Sequence, residues 1–460
     1  MIASVNPATG EEISRFEPHS ARDVDAALAA AAAAQAAWGA RPVAARLPLL
    51  RRLAETLRAG RDRYARLITA EMGKPLAEAQ AEIEKCALTC DFYADHAEGF
   101  LADRTVASAA SHSAVVFEPL GVVLAVMPWN YPFWQVMRFA APALAAGNGM
   151  VLKHAANVPQ CALALAAVFA DAGCPEGLAA VLLVEPEAVA RMIADDRIAA
   201  VTLTGSTEVG AIVAGQAGRA LKKQVLELGG SDPFIVLADA DLDRAADVAV
   251  KARFTNSGQS CVNAKRFIVE APVADRFVAA FAQRIAALRL GDPLDAGTDI
   301  GPMARANLRA ALHEQVQRSV AAGARLVVGG AAVAGPGFFY APTLLDHVTP
   351  EMAAFREETF GPVAAVTRAR DADHALALAN QTEFGLAASI WTGDVACGRA
   401  LARRIQAGAV FVNGLVASDP RLPFGGIKRS GYGRELGELG IREFVNAKTV
   451  WVGPALEAAR

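Results

Sequence analysis

Apolar positions in the first hundred residues recur at the spacing of a helix. Alanine, leucine and arginine follow this period between about residues 24 and 66, and Gly39 and Pro42 interrupt it. This pattern predicts two helices joined by a turn. The same spacing over about residues 76–99 predicts a third helix.

The pattern changes after residue 110 to short runs of apolar and β-branched residues, which predict strands. These runs alternate with helical segments as far as Leu228. The alternation predicts a parallel sheet covered by helices, in which ligands bind at the carboxyl ends of strands. The predicted strands are residues 114–117, 122–126, 150–153, 180–184, 201–204 and 225–228.

A second alternation of strands and helices begins after Gly229 and Gly230. Because 460 residues exceed the length at which one hydrophobic core keeps growing, this second alternation predicts a second domain. Its predicted strands are residues 233–237, 265–269 and 408–413, and its predicted helices are residues 241–257 and 273–288.

Composition indicates a folded globular protein, with 53% hydrophobic and 20% charged residues and a net charge of −3. Basic residues are scattered, and the closest cluster, at residues 61–66, fits the solvated face of a helix, so we expect no nucleic-acid partner. The N-terminus lacks signal-peptide features, and charge, Pro or Gly interrupts every long apolar run. We therefore expect a cytoplasmic protein without a membrane partner.

Six cysteines in a chain of this length indicate a reducing compartment, since none forms a CxxC pair. Cys86 and Cys90 are four residues apart in a predicted helix, but no further Cys or His follows with the spacing of a metal site. We expect no bound metal. The cysteines are Cys86, Cys90, Cys161, Cys174, Cys261 and Cys397.

The segment 254–261 ends in Cys261, which follows a turn containing Gly258 and precedes a predicted strand. A loop of this kind can present a thiol to a cleft. Taken alone, the residue has a second interpretation, because free cysteines are most often buried as small hydrophobic side chains.

Six segments together resemble the aldehyde dehydrogenase superfamily, and within it the bacterial succinate-semialdehyde dehydrogenases. They occur in the family's order and at its approximate spacing, and they span nearly the whole chain. The segments are PWNYP at 128–132, TGSTEVG at 204–210, LELGG at 226–230, GQSC at 258–261, EETFGP at 357–362 and PFGGIK at 423–428.

The resemblance implies an α/β fold with a Rossmann-type cofactor domain, an α/β catalytic domain and a small β oligomerisation element. The implied cofactor domain comprises residues 1–110 and 123–229, and the catalytic domain residues 230–430. The oligomerisation strands are residues 111–122 and 444–457, with a return segment at 431–443. In the family these strands join across a subunit interface, so a homodimer or homotetramer is expected.

The resemblance also implies the catalytic residues. The Cys261 thiolate would attack the aldehyde carbon and form a thiohemiacetal that loses hydride to leave a thioester. The Asn130 amide and the Cys261 backbone N–H would hold the oxyanion, although an Asn before a helix can also be its cap. Glu227, at the end of a buried strand, would activate the hydrolytic water; the alternative is a structural salt bridge.

For the cofactor, NAD or NADP, the family match implies that the loop beginning at Gly205 and Ser206 holds the pyrophosphate. Many NAD-preferring relatives carry a Glu where this chain has Ala156, so NADP should be tolerated and the preference stays open. Lys153 corresponds to the adenosine-ribose ligand, Glu358 to the nicotinamide-ribose ligand, Phe360 to a residue beside the ring, and Trp129 to the same wall or to core packing.

Arg138 is the main indication of substrate class. In a helix, Asn130, Trp134 and Arg138 would share one face, which would place the guanidinium along the aldehyde's approach. The far carboxylate of a semialdehyde is a suitable partner, and Ser260 and Ser418 would add hydroxyl donors, as in the resembled enzymes. The alternative for Arg138 is an internal salt bridge with no substrate contact.

The expected reaction is the oxidation of succinate semialdehyde, or of another small aldehyde, to the acid. A CoA-acylating relative would share Cys261, but Glu227 argues against it. A cysteine hydrolase should lack the ribose ligands Lys153 and Glu358, and a non-catalytic protein of this fold should have lost one of the catalytic residues. Asn263 stands where some relatives carry a second Cys, so a local disulfide switch is not expected.

Overall fold

The computed structural model describes residues 1–453 and begins with a β-hairpin and four helices. The prediction of two helices between residues 24 and 66 was wrong, because the chain turns again at Gly60. A Cβ atom there would come within 2.3 Å of the Tyr64 ring, so glycine suits this turn. The elements are β1 (Ile2–Val5), β2 (Glu12–Phe16), α1 (Ala21–Gly39), α2 (Val43–Ala59), α3 (Arg61–Met72) and α4 (Leu76–Phe100).

Strands and helices then alternate, as the hydrophobic pattern predicts. The elements are β3 (Arg104–Thr105), β4 (His112–Pro119), β5 (Val122–Met127), α5 (Trp134–Ala146), β6 (Gly149–His154), α6 (Pro159–Asp171), β7 (Ala179–Leu182), α7 (Glu187–Ala194), β8 (Ile198–Thr204), α8 (Thr207–Arg219) and β9 (Lys223–Glu227).

The second half of the chain continues this alternation. Its elements are β10 (Asp232–Val236), α9 (Leu242–Phe254), β11 (Ala264–Glu270), α10 (Ala271–Ala286), α11 (Ala306–Ala321), β12 (Arg325–Val328), β13 (Thr343–Asp346), α12 (Ala353–Arg356), β14 (Val363–Ala369), α13 (Ala372–Asn380), β15 (Ala387–Trp391), α14 (Val395–Ala402), β16 (Ala409–Val412), β17 (Gly431–Tyr432), α15 (Gly437–Ile441) and β18 (Val445–Val452).

The first sheet has the strand order β17-β9-β8-β5-β6-β7, and all its neighbours are parallel except β17 and β9. The chain proceeds from β5 outward through β6 to β7, then returns to the other side of β5 as β8. The carboxyl ends of β5 and β8 therefore flank a topological switch point, where ligands bind in open α/β sheets.

The second sheet has the order β12-β13-β14-β11-β10-β15-β16, with only β12 antiparallel to its neighbour. Two clusters of buried apolar side chains are centred on it; they include Ile268 in one and Phe267 in the other, consecutive residues of β11 that point to opposite faces. This arrangement agrees with the predicted α/β fold.

The third sheet is antiparallel, with β4 between β3 and β18. The predicted strands at 111–122 and 444–457 correspond to β4 and β18, although residues 454–457 lie outside the described residues. Two pairings cross the predicted domain boundaries, because β3 joins this sheet and β17, from the return segment, joins the first sheet. The boundaries themselves stay a prediction.

Candidate active site

Two cavities meet at Cys261. One, of about 210 Å³, lies at the switch point of the first sheet and is lined by Trp129, Gly205 and Glu358 among others. The other, of about 260 Å³, is lined by residues of α4 and α5 and by the loop before β17. Among the residues that line these two cavities, Cys261 alone belongs to both. A group bound in either cavity can therefore reach the thiol.

The loop that presents Cys261 has an unusual backbone. Asn256, Ser257 and Gly258 all have positive φ, at 58°, 53° and 73°. Such conformations cost free energy in non-glycine residues and persist where surrounding contacts hold them. At Gly258 a Cβ atom would lie 2.3 Å from the carbonyl oxygen of Gly361, so glycine is required there. The turn of the motif is thus explained by close packing against the loop after Glu358.

Lys265, in β11, forms hydrogen bonds to the loop that carries Cys261. Its buried ammonium donates to the backbone oxygens of Ser260 at 3.0 Å and Cys261 at 2.8 Å, and it lies 3.5 Å from Oε1 of Glu358. Sequence reasoning missed this residue, because its partners are mainly backbone oxygens, which carry no sequence signal. Lys265 therefore fixes the nucleophile relative to Glu358.

The Cys261 thiol is protonated at neutral pH. Burial raises its pKa to about 12, while the positive charges of Arg138 and Lys265 act in the opposite direction. Its nucleophilic form must therefore be generated during the reaction, with a base or a change in local charge to remove the proton.

Asn130 lies at the end of the loop that follows β5. Its Nδ2 donates to the backbone oxygen of Gln259 at 3.1 Å, and its own backbone oxygen accepts from Nδ2 of Asn256 at 2.9 Å. Its side chain does not cap α5, because the N–H groups at the start of that helix donate to the Glu82 carboxylate. The amide is thus held against the nucleophile loop, and its second N–H remains for a ligand.

Glu82, from α4, is a second residue that sequence reasoning missed. Its Oε1 accepts from the backbone N–H groups of Phe133 and Trp134, each at 2.9 Å, at the start of α5. Its Oε2 forms a buried ion pair with Lys74. Because both side chains are buried, the pair fixes the loop that carries Asn130.

Glu227 ends β9 as a buried carboxyl with a relative exposure of 2%. Burial raises its pKa well above the usual value, and Glu435 adds to this, while Arg138 and Arg434 oppose it. Within residues 1–453 its two oxygens have no hydrogen-bond partner. A raised pKa means that the ionised carboxylate, once formed, has a high proton affinity, as suits a general base. It does not line either cavity directly.

The cavity at the switch point has the features expected for a dinucleotide. Gly205 and Ser206 precede the first turn of α8, where free backbone N–H groups suit a phosphate. Glu358 accepts from the backbone N–H of Gly230 at 3.0 Å. The rings of Trp129 and Phe360 meet edge to face, with centroids 5.7 Å apart, so Trp129 belongs to the cavity wall.

Lys153 is the penultimate residue of β6 and is not among the residues that line this cavity. Burial lowers its pKa, and the negative charges of Glu185 and Glu187 act in the opposite direction. Ala156, three residues later, is exposed.

The neighbouring His154 is buried and accepts from the Ala155 N–H at 2.8 Å, so it donates through Nε2 to Pro132, also at 2.8 Å. Burial lowers the pKa of His154 to about 4, so this bridge stays neutral.

The second cavity brings Arg138, Ser260 and Ser418 together, as the sequence predicts. Arg138 is also ion-paired with Glu435, and both side chains are buried. The structure therefore shows an internal salt bridge, and the contact of Arg138 with a substrate stays a prediction. Sequence reasoning missed Lys85, which also lines the cavity and donates to Ser418 Oγ at 2.7 Å.

Neither a membrane segment nor a metal centre is found in residues 1–453. No helix there combines the length and apolarity needed to cross a bilayer. No group of three or more His, Cys, Asp or Glu side chains there is arranged to hold a metal ion. All six cysteines are free thiols.

Comparison with known proteins defines the class. The model of the aldehyde dehydrogenase family matches residues 1–450. The chain therefore belongs to the aldehyde dehydrogenase family, and the resemblance found in the six motifs is confirmed, as is the fold class. An aldehyde-oxidising enzyme is thus the class that the fold and the two joined cavities define.

Within this family the chain is similar to proteins named as succinate-semialdehyde dehydrogenases. The chain is 54% identical over 451 residues to a probable succinate-semialdehyde dehydrogenase [NADP(+)] of Synechocystis, covering 98% of this chain and 99% of that one. It is 51% identical over 448 residues to the succinate semialdehyde dehydrogenase [NAD(P)+] Sad of Escherichia coli, covering 97% of each. The crystal structure of succinic semialdehyde dehydrogenase from Streptococcus pyogenes with NADP+ has a TM-score of 0.96 at 37% identity, covering 99% and 100%.

Proposed function

We propose that the chain oxidises succinate semialdehyde to succinate, with NAD+ or NADP+ as hydride acceptor. The observation that carries this proposal is the position of Cys261, shared by the cavity at the switch point of the first sheet and a cavity lined by the cationic side chains of Lys85, Arg138 and Lys251. A carboxylate-bearing aldehyde suits the second cavity, and the names of the relatives at 54% and 51% identity support the same substrate.

In the first half of the reaction the Cys261 sulfur bonds to the aldehyde carbon as the thiol gives its proton to Glu227, which releases it to solvent before the second half. The carbonyl oxygen gains negative charge, which the Asn130 amide and the Cys261 backbone N–H stabilise. NAD+ or NADP+, when bound, accepts the hydride that leaves the thiohemiacetal carbon. The carbon stays attached to sulfur as a thioester.

In the second half Glu227 takes a proton from water as the water oxygen attacks the thioester carbon. The carbon–sulfur bond breaks, Cys261 recovers its proton, and succinate leaves. A base with a raised pKa suits this step, because burial has already increased the proton affinity of Glu227. Its position outside the cavity linings implies that the side chain moves or acts through a water.

The cofactor would contact residues from both ends of the first cavity. The Ser206 N–H and the first turn of α8 would hold the pyrophosphate beside Gly205, whose own N–H donates to the Glu227 backbone oxygen. Glu358 would contact the nicotinamide ribose, and Trp129 and Phe360 would form the wall beside the ring. Lys153 would contact the adenosine ribose or its 2′-phosphate. The Ala156 side chain cannot form a hydrogen bond with a free 2′-hydroxyl, and it carries no charge that would repel a 2′-phosphate. We therefore propose that both cofactors bind.

The first experiment measures absorbance of the reduced nicotinamide with succinate semialdehyde or butanal, NAD+ or NADP+, and with or without CoA. We expect CoA-independent reduction that favours the semialdehyde and that Cys261→Ala abolishes. Reduction only with CoA would instead favour an acylating enzyme. No nicotinamide reduction with either aldehyde would favour a cysteine hydrolase.

We also propose that the third sheet forms a subunit interface, giving a homodimer or homotetramer. Its edge strand β18 carries the exposed apolar side chains Val450, Trp451 and Val452, which an isolated chain would leave in water.

The free thiols, and a reaction that requires Cys261 to stay reduced, support a cytoplasmic location.

A further inference from the structure

The second cavity contains a cation whose charge is not balanced. Lys85 of α4 donates to Ser418 Oγ at 2.7 Å, and its ammonium lies 4.4 Å from the centre of the Trp134 ring. Within residues 1–453 no carboxylate lies within 4.0 Å of this ammonium. A half-buried charge without an anion is costly unless a ligand supplies one.

Arg138 differs from Lys85 in this respect. Its guanidinium is buried and paired with Glu435, and it also lies 4.8 Å from the centre of the Phe424 ring. An anion that approached Arg138 would have to share it with the Glu435 carboxylate. Lys251, the third cation that lines this cavity, is exposed and stays hydrated. Lys85 is thus the part-buried cation of this cavity that an incoming carboxylate can bind without displacing a protein partner.

We infer that Lys85 is the specificity-determining residue for the carboxylate of the substrate. Its ammonium and the Ser418 hydroxyl bind the far carboxylate while the aldehyde carbon reaches Cys261. Ser418 accepts a hydrogen bond from Lys85, so its own proton is free to donate to the carboxylate. Arg138 forms the cavity wall and holds Glu435. The inference rests on the proposed semialdehyde substrate and names its binding site.

The charge of Lys85 should titrate in an accessible range. Burial, together with the positive charge of Arg138, lowers its pKa to about 8, while Cys86, Glu82 and Asp419 act in the opposite direction. The ammonium is therefore charged below about pH 8 and loses its charge above it. The other titratable and charged groups that line the cavity are Glu78, Glu82, Tyr131, Arg138, Lys251 and Cys261.

The experiment compares kcat/KM for succinate semialdehyde with kcat/KM for butanal in the wild type, Lys85→Met and Lys85→Arg. The ratio of the two cancels the titration of groups that serve both substrates, such as Cys261 and Glu227. We expect Lys85→Met to lower the ratio about tenfold to a hundredfold, the range for a lost hydrogen bond to a charged group. Lys251→Met removes the same charge from an exposed position on this cavity and should change the ratio less than about threefold.

The pH profile supplies a second readout. Burial raises the pKa of Glu78, in the same cavity, to about 7, so that carboxyl is ionised above pH 8 in every variant. Between pH 8 and pH 9 the ratio should fall in the wild type and stay level in Lys85→Arg, because a guanidinium keeps its charge. A Lys85→Met ratio within twofold of wild type overturns the inference and leaves the semialdehyde preference standing. A wild type without that preference overturns the proposed substrate and the inference with it. If Lys85→Met does not fold, equal pH profiles for the wild type and Lys85→Arg overturn the inference.

Discussion

At the scale of single residues, the reactivity of Cys261 should depend steeply on pH. Because burial raises its pKa to about 12, the thiolate fraction of the free enzyme should increase about tenfold per pH unit between pH 7 and pH 9. The rate of inactivation by iodoacetamide in the absence of cofactor should follow this slope. Free cysteine, with a pKa of about 8.5, is the reference and should level off within the same range.

The pH profile of the inactivation rate tests the burial of the Cys261 thiol. A plateau of the inactivation rate below pH 9 would contradict the burial of the thiol. Lys265→Met should slow inactivation further, because it removes one of the two positive charges that lower the Cys261 pKa. Cys261→Ala, treated in parallel, reports any contribution of the half-exposed Cys174 and Cys397.

The preference between NAD+ and NADP+ should depend on the side chain at position 156. Ala156 is exposed three residues after Lys153, so a longer side chain can be accommodated without repacking. Ala156→Glu should place a carboxylate near the ribose, where it can accept from a 2′-hydroxyl and repels a 2′-phosphate. We expect the ratio of kcat/KM with NADP+ to that with NAD+ to fall at least about tenfold.

Ala156→Gln is the matched control for the cofactor prediction, since it has the same length without the charge. It should change the cofactor ratio far less than Ala156→Glu. Equal effects of the two variants would show that size and not charge determines the preference. An unchanged ratio in both would mean that Ala156 does not face the ribose.

At the scale of elements, α4 connects the substrate cavity to the loop that carries Asn130. Glu82 accepts two backbone hydrogen bonds at the start of α5 and pairs with the buried Lys74. Glu82→Gln should lower the free energy of unfolding by about 3–5 kcal/mol, because it leaves the Lys74 charge buried without a partner. The measurement is the midpoint and slope of urea unfolding at pH 7.

Glu84→Gln is the control for that prediction. Glu84 lies two residues further along the same helix and pairs with Arg58 at the surface, so its loss should cost at most about 1 kcal/mol. Similar losses in the two variants would contradict the role given to the buried pair. The Glu82 variant should also lower kcat, since the loop before α5 holds Asn130 against Gln259.

The elements also explain which parts of the site are predictable from sequence. Cys261, Asn130 and Glu227 belong to contiguous motifs, and strand–helix alternation places these motifs at sheet edges. Lys85 has its partner Ser418 333 positions away. One sequence contains no signal for a pairing that depends on how α4 packs against a distant loop.

The second sheet shows a further physical limit of the sequence pattern. The rule that ligands bind after parallel strands holds for β5 and β8, but Cys261 and Glu358 precede β11 and β14. The amino edge of the second sheet therefore contributes to the site. Local periodicity defines each strand and not the relative orientation of two sheets, so this arrangement could be predicted only through the family resemblance.

At the scale of the whole molecule, the exposed edge strand β18 leads to a prediction about assembly. Trp451 is 55% exposed beside Val450 and Val452, on a sheet whose edge backbone groups are open for pairing. We expect the wild type to sediment as a dimer or tetramer, and Trp451→Asp to shift it toward monomer at micromolar concentration. Burying a charged carboxylate in an apolar interface without a partner is costly.

Leu221→Asp is the control for assembly, because Leu221 is 94% exposed on the turn before β9 and belongs to a different surface. It should leave the sedimentation coefficient unchanged. Because Trp451 lies outside both cavities, a monomeric Trp451→Asp variant should still bind NADP+, measured by the quenching of protein fluorescence. A wild type that sediments as a monomer at all concentrations would show that β18 is not an interface. An unchanged oligomer in Trp451→Asp would move the interface to another part of the surface.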